Sequence, residues 1–221
     1  AATSMDCFPM CPECAAEYGD PLDRRFHAQP DACFDCGPHI TWREAAGDME
    51  LGGSGATPAV GSTRETSDAI IDRCVELLAS GGIVAIKGLG GFHLACDAAN
   101  EQAVVELRRR KRRSNKPLAV MVRSLADAER LCHVDDAERS LLTGSICPIV
   151  LLRRRAVGEG DSPDALTLAP SVAHDLPELG VMLPYTPLQH MLLAAAAARG
   201  MHALVMTSGN LSEEPIETDD G

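Results

Sequence analysis

The chain has 221 residues, of which 45% are apolar and only 3% aromatic, so any core that it forms is aliphatic. Its formal net charge of −12 disfavours nonspecific binding to nucleic acid or to an anionic membrane. No stretch approaches the ~20 apolar residues of a membrane-spanning helix, and no secretory leader opens the chain, so we expect a cytoplasmic protein that is not bound to a membrane.

Four of the nine cysteines form two CxxC pairs with eighteen residues between them. A two-residue gap lets both thiolates of a pair reach one tetrahedral ion, so two such pairs in a reducing compartment indicate structural zinc. The segment between the pairs is polar and rich in turn formers, and we expect the metal to take the place of a hydrophobic core there. The predicted ligands are Cys11, Cys14, Cys33 and Cys36.

The cysteine pairs define a zinc-finger module over residues 1–45, in which His27 and His39 are either substitute ligands or ordinary exposed side chains. Residues 46–65 are rich in Gly, Ser, Thr and Ala, which is typical of a flexible linker. We therefore expect a second domain over residues 66–221. The other five cysteines are scattered singly, and we interpret them as small buried apolar residues.

The second domain is predicted to open with a helix that Ser67 caps and that runs to about Ser80, followed by strands at about 83–87 and 92–96. Between the strands lies a turn that reads KGLGG, with three glycines in four positions. Glycines remove Cβ atoms where a backbone bends sharply or where a ligand approaches N–H groups. Neither the dinucleotide fingerprint nor the P-loop fits this turn, so a plain tight turn is the alternative.

The next helix, capped by Asn100, ends in seven Lys or Arg residues with no acid among them. In so acidic a chain, a focused cationic patch is what binding an anionic ligand requires. The alternative is a solvated helix end, since basic side chains favour a helix C-terminus and Pro117 stops the helix; this is the main role that we assign to Arg108, Arg109 and Arg112. The cluster comprises Arg108, Arg109, Arg110, Lys111, Arg112, Arg113 and Lys116.

The remaining pattern alternates strands and helices, which predicts an α/β fold with five or six strands but does not fix their order. A long loop at 153–184 interrupts the alternation, and loops of that length are usually functional or mobile. The predicted elements are a strand at 118–122, helices near 124–131 and 135–143, a strand at 148–152, a helix at 187–199 and a strand at 203–207 that leads into a Thr-Ser-Gly-Asn turn.

Five motifs follow one another along the second domain: KGLGGFHLACDA, RRKRRSNKPLAVM, PIVLL, GVMLPYTPLQHMLL and VMTSGNLSEEPI. In this order they closely resemble the YrdC-like domain of the HypF family, the carbamoyltransferases that mature nickel–iron hydrogenase. The resemblance runs from about Thr66 to the last residue, and the cysteine segment with its Cys36-Gly37-Pro38 ending matches the same family. It implies an open, twisted mixed sheet with a concave, positively charged face, preceded by the small zinc-finger module.

The resemblance implies a three-step chemistry. In the family, carbamoyl phosphate is hydrolysed to carbamate, the YrdC-like domain joins carbamate to AMP from ATP, and the carbamoyl group passes to the terminal cysteine of the partner HypE. The implied ligands are ATP with Mg²⁺ as substrate and zinc as a structural ion. The flanking domains, the first of two cysteine repeats and the last part of the YrdC-like domain lie outside this sequence, so the chain by itself could be inactive.

Matched residue by residue, Lys111 and Arg113 of a K-x-R motif would contact the phosphates, with Lys116 beside them. Ser208 and Asn210 of an S-x-N motif would hydrogen-bond phosphate or hold Mg²⁺, the alternative being a turn after a buried strand. The glycine turn replaces a threonine-rich turn of tRNA-modifying relatives, which fits bare carbamate as substrate. The residues implied there are Lys87, Gly88, Gly90, Gly91 and His93, of which His93 binds the carbamoyl oxygen or is a core histidine.

Other functions remain open from the sequence. A tRNA threonylcarbamoyl-AMP synthase would share the K-x-R and S-x-N motifs but would lack the cysteine pairs and carry threonine in the glycine turn. A noncatalytic RNA-binding module is disfavoured by the net charge and by the scarcity of aromatic residues for base stacking. A zinc-stabilised module that only binds HypE is the third alternative. No nucleophile is paired with a base, so covalent catalysis is not supported.

Overall fold

The structure, a computed structural model, describes residues 9–28, 31, 33, 36–37, 40–43, 64–155, 166–211 and 215–218. The chain falls into two compact units, Ala1–Asp72 and Arg73–Gly221. The predicted linker at 46–65 lies almost wholly outside the described residues, so the bounds predicted from sequence for the two domains remain a prediction. Within the described part of the chain, no helix is long and apolar enough to cross a membrane.

The described residues contain six α-helices, one 3₁₀ turn and six strands. The helices are α1 (Pro12–Gly19), α2 (Arg64–Ala79), α3 (Glu101–Lys111), α4 (Leu125–Leu131), α5 (Asp136–Thr143) and α6 (Pro187–Ala198), and the 3₁₀ turn is Pro170–Val172. The strands are β1 (Val84–Gly88), β2 (Gly91–Asp97), β3 (Val120–Val122), β4 (Val150–Arg153), β5 (Glu178–Met182) and β6 (Ala203–Ser208).

The six strands form one mixed sheet in the order β1-β2-β6-β3-β5-β4. Only β3 and β5 run parallel, and the other four neighbouring pairs are antiparallel. Because β1 and β4 each pair on one side only, the sheet is open, which confirms the predicted fold class. The last strand in sequence, β6, lies in the middle of the sheet, between β2 and β3.

Successive residues of the central strands face opposite sides of the sheet, as the two-residue period of a strand requires. Leu152, Val181 and Val205 belong to the hydrophobic core beneath α3, α4 and α5. Their chain neighbours Leu151, Gly180, Met182 and Met206 line a cavity instead. The cavity therefore opens on the face of the sheet opposite that core.

Two predictions about local structure are wrong. The segment predicted as a loop at 153–184 contains the strand β5 and the 3₁₀ turn. Residues 179–182 are buried on both faces, so β5 shows a short continuous apolar run without alternation, and Gly180 within it weakened the strand pattern. Helix α2 begins at Arg64, three residues before the predicted Ser67 cap, because Arg64 and Glu65 are themselves good helix formers.

Candidate functional site

The cavity on the sheet has a volume of about 590 Å³, which suits a small-molecule ligand. Its walls are mostly apolar, with side chains that include Ile146, Ile149 and Leu151. A few polar side chains interrupt this apolar lining, as is typical of sites that orient a ligand by a small number of hydrogen bonds. They are His93, Arg113, Tyr185, Thr207 and Ser208.

Lys111, in the last turn of α3, is 3% exposed and lies behind the S-x-N turn. Its ammonium donates to the carbonyl oxygens of Ser208 and Asn210, the latter at 2.8 Å, and to Asn210 Oδ1 at 3.1 Å. These contacts use all three N–H groups of the ammonium. Burial, and in second place the charge of Arg113, lowers the pKa of Lys111. Lys111 therefore ties the helix end to the turn and has no N–H left for a phosphate oxygen in this arrangement.

The S-x-N turn is organised around the side-chain oxygen of Asn210. Ser208 Oγ donates to Asn210 Oδ1 at 2.6 Å, and the Lys111 ammonium donates to the same oxygen. A carboxamide oxygen has two lone pairs, and both are engaged by these donors. Asn210 Oδ1 is thus poorly suited to coordinate Mg²⁺ in this arrangement, whereas Ser208 lines the cavity and can contact a ligand.

The basic residues around the end of α3 do not act as one patch. Arg113 lines the cavity, and its guanidinium donates to the carbonyl oxygen of Pro117 at 2.7 Å. Arg109 and Arg110 are well exposed and both pair with Glu106, whose pKa they lower to about 2 through hydrogen bonds. Arg112 and Lys116 are exposed and do not line the cavity. Of the seven predicted basic residues, Arg113 alone reaches the cavity wall.

Arg108 is not the solvated helix-end residue that the sequence predicted. Only 7% of it is exposed, and its guanidinium donates to main-chain carbonyl oxygens on two separate segments. The charge of this buried side chain is thus solvated by backbone dipoles instead of water. The burial of Arg108 could have been predicted from the helical period, because Arg108 and Lys111 lie on the same face of α3 as the buried Val104 and Leu107.

His93, on β2, is half-buried and lines the cavity opposite Ser208 in the register of β2 and β6. Its Nδ1 is buried, and no described residue supplies it with a hydrogen-bond partner. Such an unpaired buried atom is unusual and points to a ligand or water that would satisfy it. Gly88 on β1 leaves room for the ring, since a Cβ at Gly88 would lie 3.0 Å from His93 Nδ1.

The other glycines of the turn have different roles. Gly91 has φ +126°, and a Cβ there would lie 2.6 Å from the carbonyl oxygen of Glu217, so it serves the backbone and not a ligand. Gly90 lies at the exposed tip, where a Cβ would meet no other atom of the described chain within 4 Å. Lys87 is exposed, with its ammonium 5.4 Å from the ring centre of Phe92. Of the predicted turn residues, only His93 lines the cavity.

Replacing Gly88 by alanine should weaken ligand binding in the cavity, because the new methyl group displaces the His93 ring. Gly88 has no positive φ, so the fold should tolerate the change. We expect a loss of affinity of up to about tenfold, or about 1.4 kcal/mol, which is the upper part of the usual cost of moving a side chain off its preferred rotamer. Gly90→Ala is the matched control and should bind like the wild type. Equal affinities for the two variants, measured by calorimetry, would contradict this assignment.

Burial lowers the pKa of His93 from its usual value of 6.5, so the imidazole is neutral at pH 7. The unfolded chain then binds more protons than the folded chain as the pH falls below that value, and this residue's contribution to stability is lost on acidification. We expect the wild type to lose stability relative to His93→Gln as the pH falls from 7.5 to 5.5. Urea unfolding at both values measures it, and an NMR titration midpoint at or above 6.5 would contradict the shift.

The four predicted metal ligands come together in the first unit. The sulfur atoms of Cys11, Cys14, Cys33 and Cys36 all lie within 4.8 Å of one another, and two of the edges measure 3.7 and 3.8 Å. A tetrahedron of thiolates about 2.3 Å from a zinc ion has edges of about 3.8 Å. The cluster therefore fits the closed four-sulfur site of a structural zinc ion.

The described residues between the cysteine pairs make polar and ring contacts and form no apolar core among themselves. Arg25 pairs with Glu17 at 2.5 Å and lies 3.6 Å from the buried carboxylate of Asp31. The ring of His27 stacks on those of Tyr18 and Phe26, with centroids 5.1 and 4.1 Å apart. His27 is therefore a packing residue outside the sulfur cluster, and His39 lies outside the described residues.

Comparison with known proteins finds two family models that match the chain. A family described as telomere recombination, Sua5/YciO/YrdC, matches residues 76–221, and the HypF finger matches residues 10–43. Carbamoyltransferase HypF of Rhodobacter capsulatus is 50% identical over 215 residues, which cover 97% of this chain and 25% of the relative. Threonylcarbamoyl-AMP synthase of Bos taurus is 30% identical over 170 residues, 75% of this chain and 56% of the relative.

Among solved structures, the chain is similar to full-length HypF in its phosphate- and nucleotide-bound form, with a TM-score of 0.74 and 44% identity. That match covers 99% of this chain and 25% of the other. The chain thus spans about a quarter of the length of the HypF proteins that it matches.

Proposed function

Because the chain belongs to the HypF family of carbamoyltransferases, we propose that its second unit joins carbamate to the adenylyl group of ATP. The product is carbamoyl-adenylate, whose carbamoyl group is then available for transfer to the terminal cysteine of HypE during hydrogenase maturation. Carbamoyl phosphate is the proposed source of the carbamate. The cavity on the sheet is the proposed reaction site.

In the proposed reaction a carbamate oxygen attacks the α-phosphorus of ATP, and the bond from that phosphorus to the bridging oxygen of pyrophosphate breaks. Carbamate is already an anionic nucleophile, so no general base has to remove a proton. Catalysis then consists of positioning the two anions and neutralising the charge that develops on the phosphates. Mg²⁺ would arrive with ATP and supply further positive charge to the phosphates.

The contacts of the cavity suggest a role for each polar residue. Arg113 and Ser208 line the cavity and would contact phosphate oxygens. Lys111 would keep the S-x-N turn in place and add positive charge from behind it, since its N–H groups bind that turn. The unpaired Nδ1 of His93 would accept a hydrogen bond from the carbamate or donate one to it. The apolar side chains Ile146, Ile149 and Leu151 would pack against the base.

The observation that supports this proposal most directly is the joining of two distant motifs at one cavity. Lys111 contacts Ser208 and Asn210 across 97 and 99 residues of sequence, and Arg113 and Ser208 line the same space. For the first unit we propose a structural role, in which zinc holds the module and its surface contacts other parts of the protein or HypE.

The test is ATP–pyrophosphate exchange by the intact protein supplied with carbamoyl phosphate. Arg113→Ala is expected to lower the exchange rate at least ~30-fold, about 2 kcal/mol, because a charged phosphate contact is lost. Arg110→Ala removes a guanidinium three positions away that is 62% exposed and paired with Glu106, and it should leave the rate unchanged. Exchange that needs no carbamoyl phosphate, or that survives Arg113→Ala, would refute the proposal.

The similarity to threonylcarbamoyl-AMP synthase makes that reaction the second candidate. Both reactions form an acyl-type adenylate from a carbamate, so the exchange assay distinguishes them by substrate. Threonine with bicarbonate should not stimulate exchange if bare carbamate is the substrate. Stimulation by threonine, with none by carbamoyl phosphate, would favour the synthase reaction.

A further inference from the structure

The guanidinium of Arg108 joins two segments that lie outside the α-helices and strands of the described chain. From α3 it donates to the carbonyl oxygens of Arg113, Ser114 and Lys116 at 3.0, 3.2 and 3.0 Å. On its other side it donates to the carbonyl oxygens of Ser171 and Val172 in the 3₁₀ turn, at 2.6 and 3.1 Å. Arg108 thus lies between residues 113–117, here named the phosphate loop, and the 3₁₀ turn.

The phosphate loop is held by main-chain hydrogen bonds at its two ends and by side-chain donors between them, among which Arg108 makes the most contacts. Its main-chain hydrogen bonds to the rest of the described chain include Arg113 N to the Arg108 carbonyl at 3.0 Å at its start. Just after its end, Leu118 N donates to the Val172 carbonyl at 2.9 Å. Between these two points the carbonyl oxygens of Arg113, Ser114 and Lys116 accept from the Arg108 guanidinium. The loop carries Arg113, the only basic residue of the cluster that lines the cavity.

The 3₁₀ turn is itself fixed to the opposite end of α3. Glu101 accepts from the main-chain N–H of Ser171 at 3.1 Å and from its hydroxyl at 2.5 Å. Glu101 and Arg108 are seven residues apart, so they lie two turns apart on one face of the helix. Helix α3 therefore binds the 3₁₀ turn at two points, through Glu101 and Arg108. The 3₁₀ turn in this way keeps the Arg108 side chain next to the phosphate loop.

We propose that Arg108 is a positioning residue, which sets the place of Arg113 at the cavity by fixing the carbonyl groups of the phosphate loop to the 3₁₀ turn. The inference rests on the proposed function, in which Arg113 contacts phosphate. Under this proposal the segment around the 3₁₀ turn contributes to the reaction, although it is distant in sequence from both the K-x-R and the S-x-N motif. Arg108 itself is enclosed by main-chain carbonyls and does not line the cavity.

Lysine at position 108 keeps the charge but carries three N–H groups on one atom, so it cannot reach both segments. Arg108→Lys in the intact protein should raise the KM for ATP at least ~10-fold. The decisive measurement is a double-mutant cycle on the ATP–pyrophosphate exchange rate. Arg113→Ala, which should lower that rate at least ~30-fold in the wild type, should lower it less than about threefold in the Arg108→Lys background. Arg109→Met is the matched control, since that side chain is 71% exposed and pairs with Glu106. Its cycle with Arg113→Ala should be additive.

A second readout does not depend on ATP. Amide hydrogen exchange at Arg113 and Leu118 should become at least ~10-fold faster in Arg108→Lys, while the amide of Met206, bonded to the Ala119 carbonyl, should be unchanged. Faster exchange at all three amides would indicate general destabilisation and overturn the inference, as would unchanged exchange at Arg113 and Leu118. If the wild type shows no ATP-dependent reaction, the proposed function fails, and hydrogen exchange still decides whether Arg108 holds the loop.

Discussion

Replacing Lys111 by alanine is expected to lower the rate of carbamate-dependent ATP–pyrophosphate exchange at least ~100-fold, about 3 kcal/mol. The change removes a positive charge from behind the S-x-N turn. It also leaves the carbonyl oxygens of Ser208 and Asn210 without the donor that now binds them. Ser208 and Asn210 are half-buried, so each acceptor left unsatisfied costs about 1 kcal/mol, and the turn is expected to shift away from the cavity.

Two controls separate this effect from loss of folding. Arg109→Ala removes an exposed cation two positions earlier on α3 and should keep the wild-type exchange rate. Lys111→Arg keeps the charge, yet a guanidinium does not fit the three acceptors of a compact ammonium, so it should recover little of the lost activity. A Lys111→Ala variant that melts as the wild type does but retains its exchange rate would show that the turn needs no such support.

Replacing Cys14 by serine is expected to remove zinc from the first unit and to unfold it. Cys14 is 2% exposed, and its sulfur completes a cluster whose geometry fits one tetrahedral ion. In small zinc modules the binding free energy of the metal, about 10–16 kcal/mol at neutral pH, is the folding free energy. Among the described residues between 17 and 31, the stacked rings and the Arg25–Glu17 ion pair are too few to hold the module without the metal. Metal analysis should find one zinc ion per wild-type chain and none in the variant.

Cys147→Ser is the matched control for the metal analysis. Cys147 is a single, half-buried cysteine of the second unit whose thiol donates to the Gly144 carbonyl at 3.3 Å, a bond that a serine hydroxyl can replace. It should keep a full zinc content. Amide exchange within residues 9–28 should become fast in Cys14→Ser and stay slow in the control. A Cys14→Ser chain that keeps zinc with unchanged affinity would mean that other ligands form the site.

Local rules predicted several parts of the site from sequence. Asn100 caps α3, as predicted, with a hydrogen bond from the third residue of the helix. The spacing of the cysteine pairs predicted a cluster that the structure assembles. The helical period would also have predicted that Arg108 is buried and Arg109 exposed. The seven basic residues were instead interpreted together as one charged cluster, so this difference was missed.

The sequence by itself determined which groups are available for chemistry, namely the thiols and the K-x-R and S-x-N motifs. It also determined the order of helices and strands along the chain. Only the tertiary structure decided that Lys111 meets Ser208 and Asn210, because that contact spans 97 residues and depends on β6 pairing between β2 and β3. It likewise decided that Arg113 faces the cavity while Lys111 supports the turn from behind. Periodicity reports which face of an element is buried, whereas the partner across that face depends on strand order, which the pattern of a single strand does not contain.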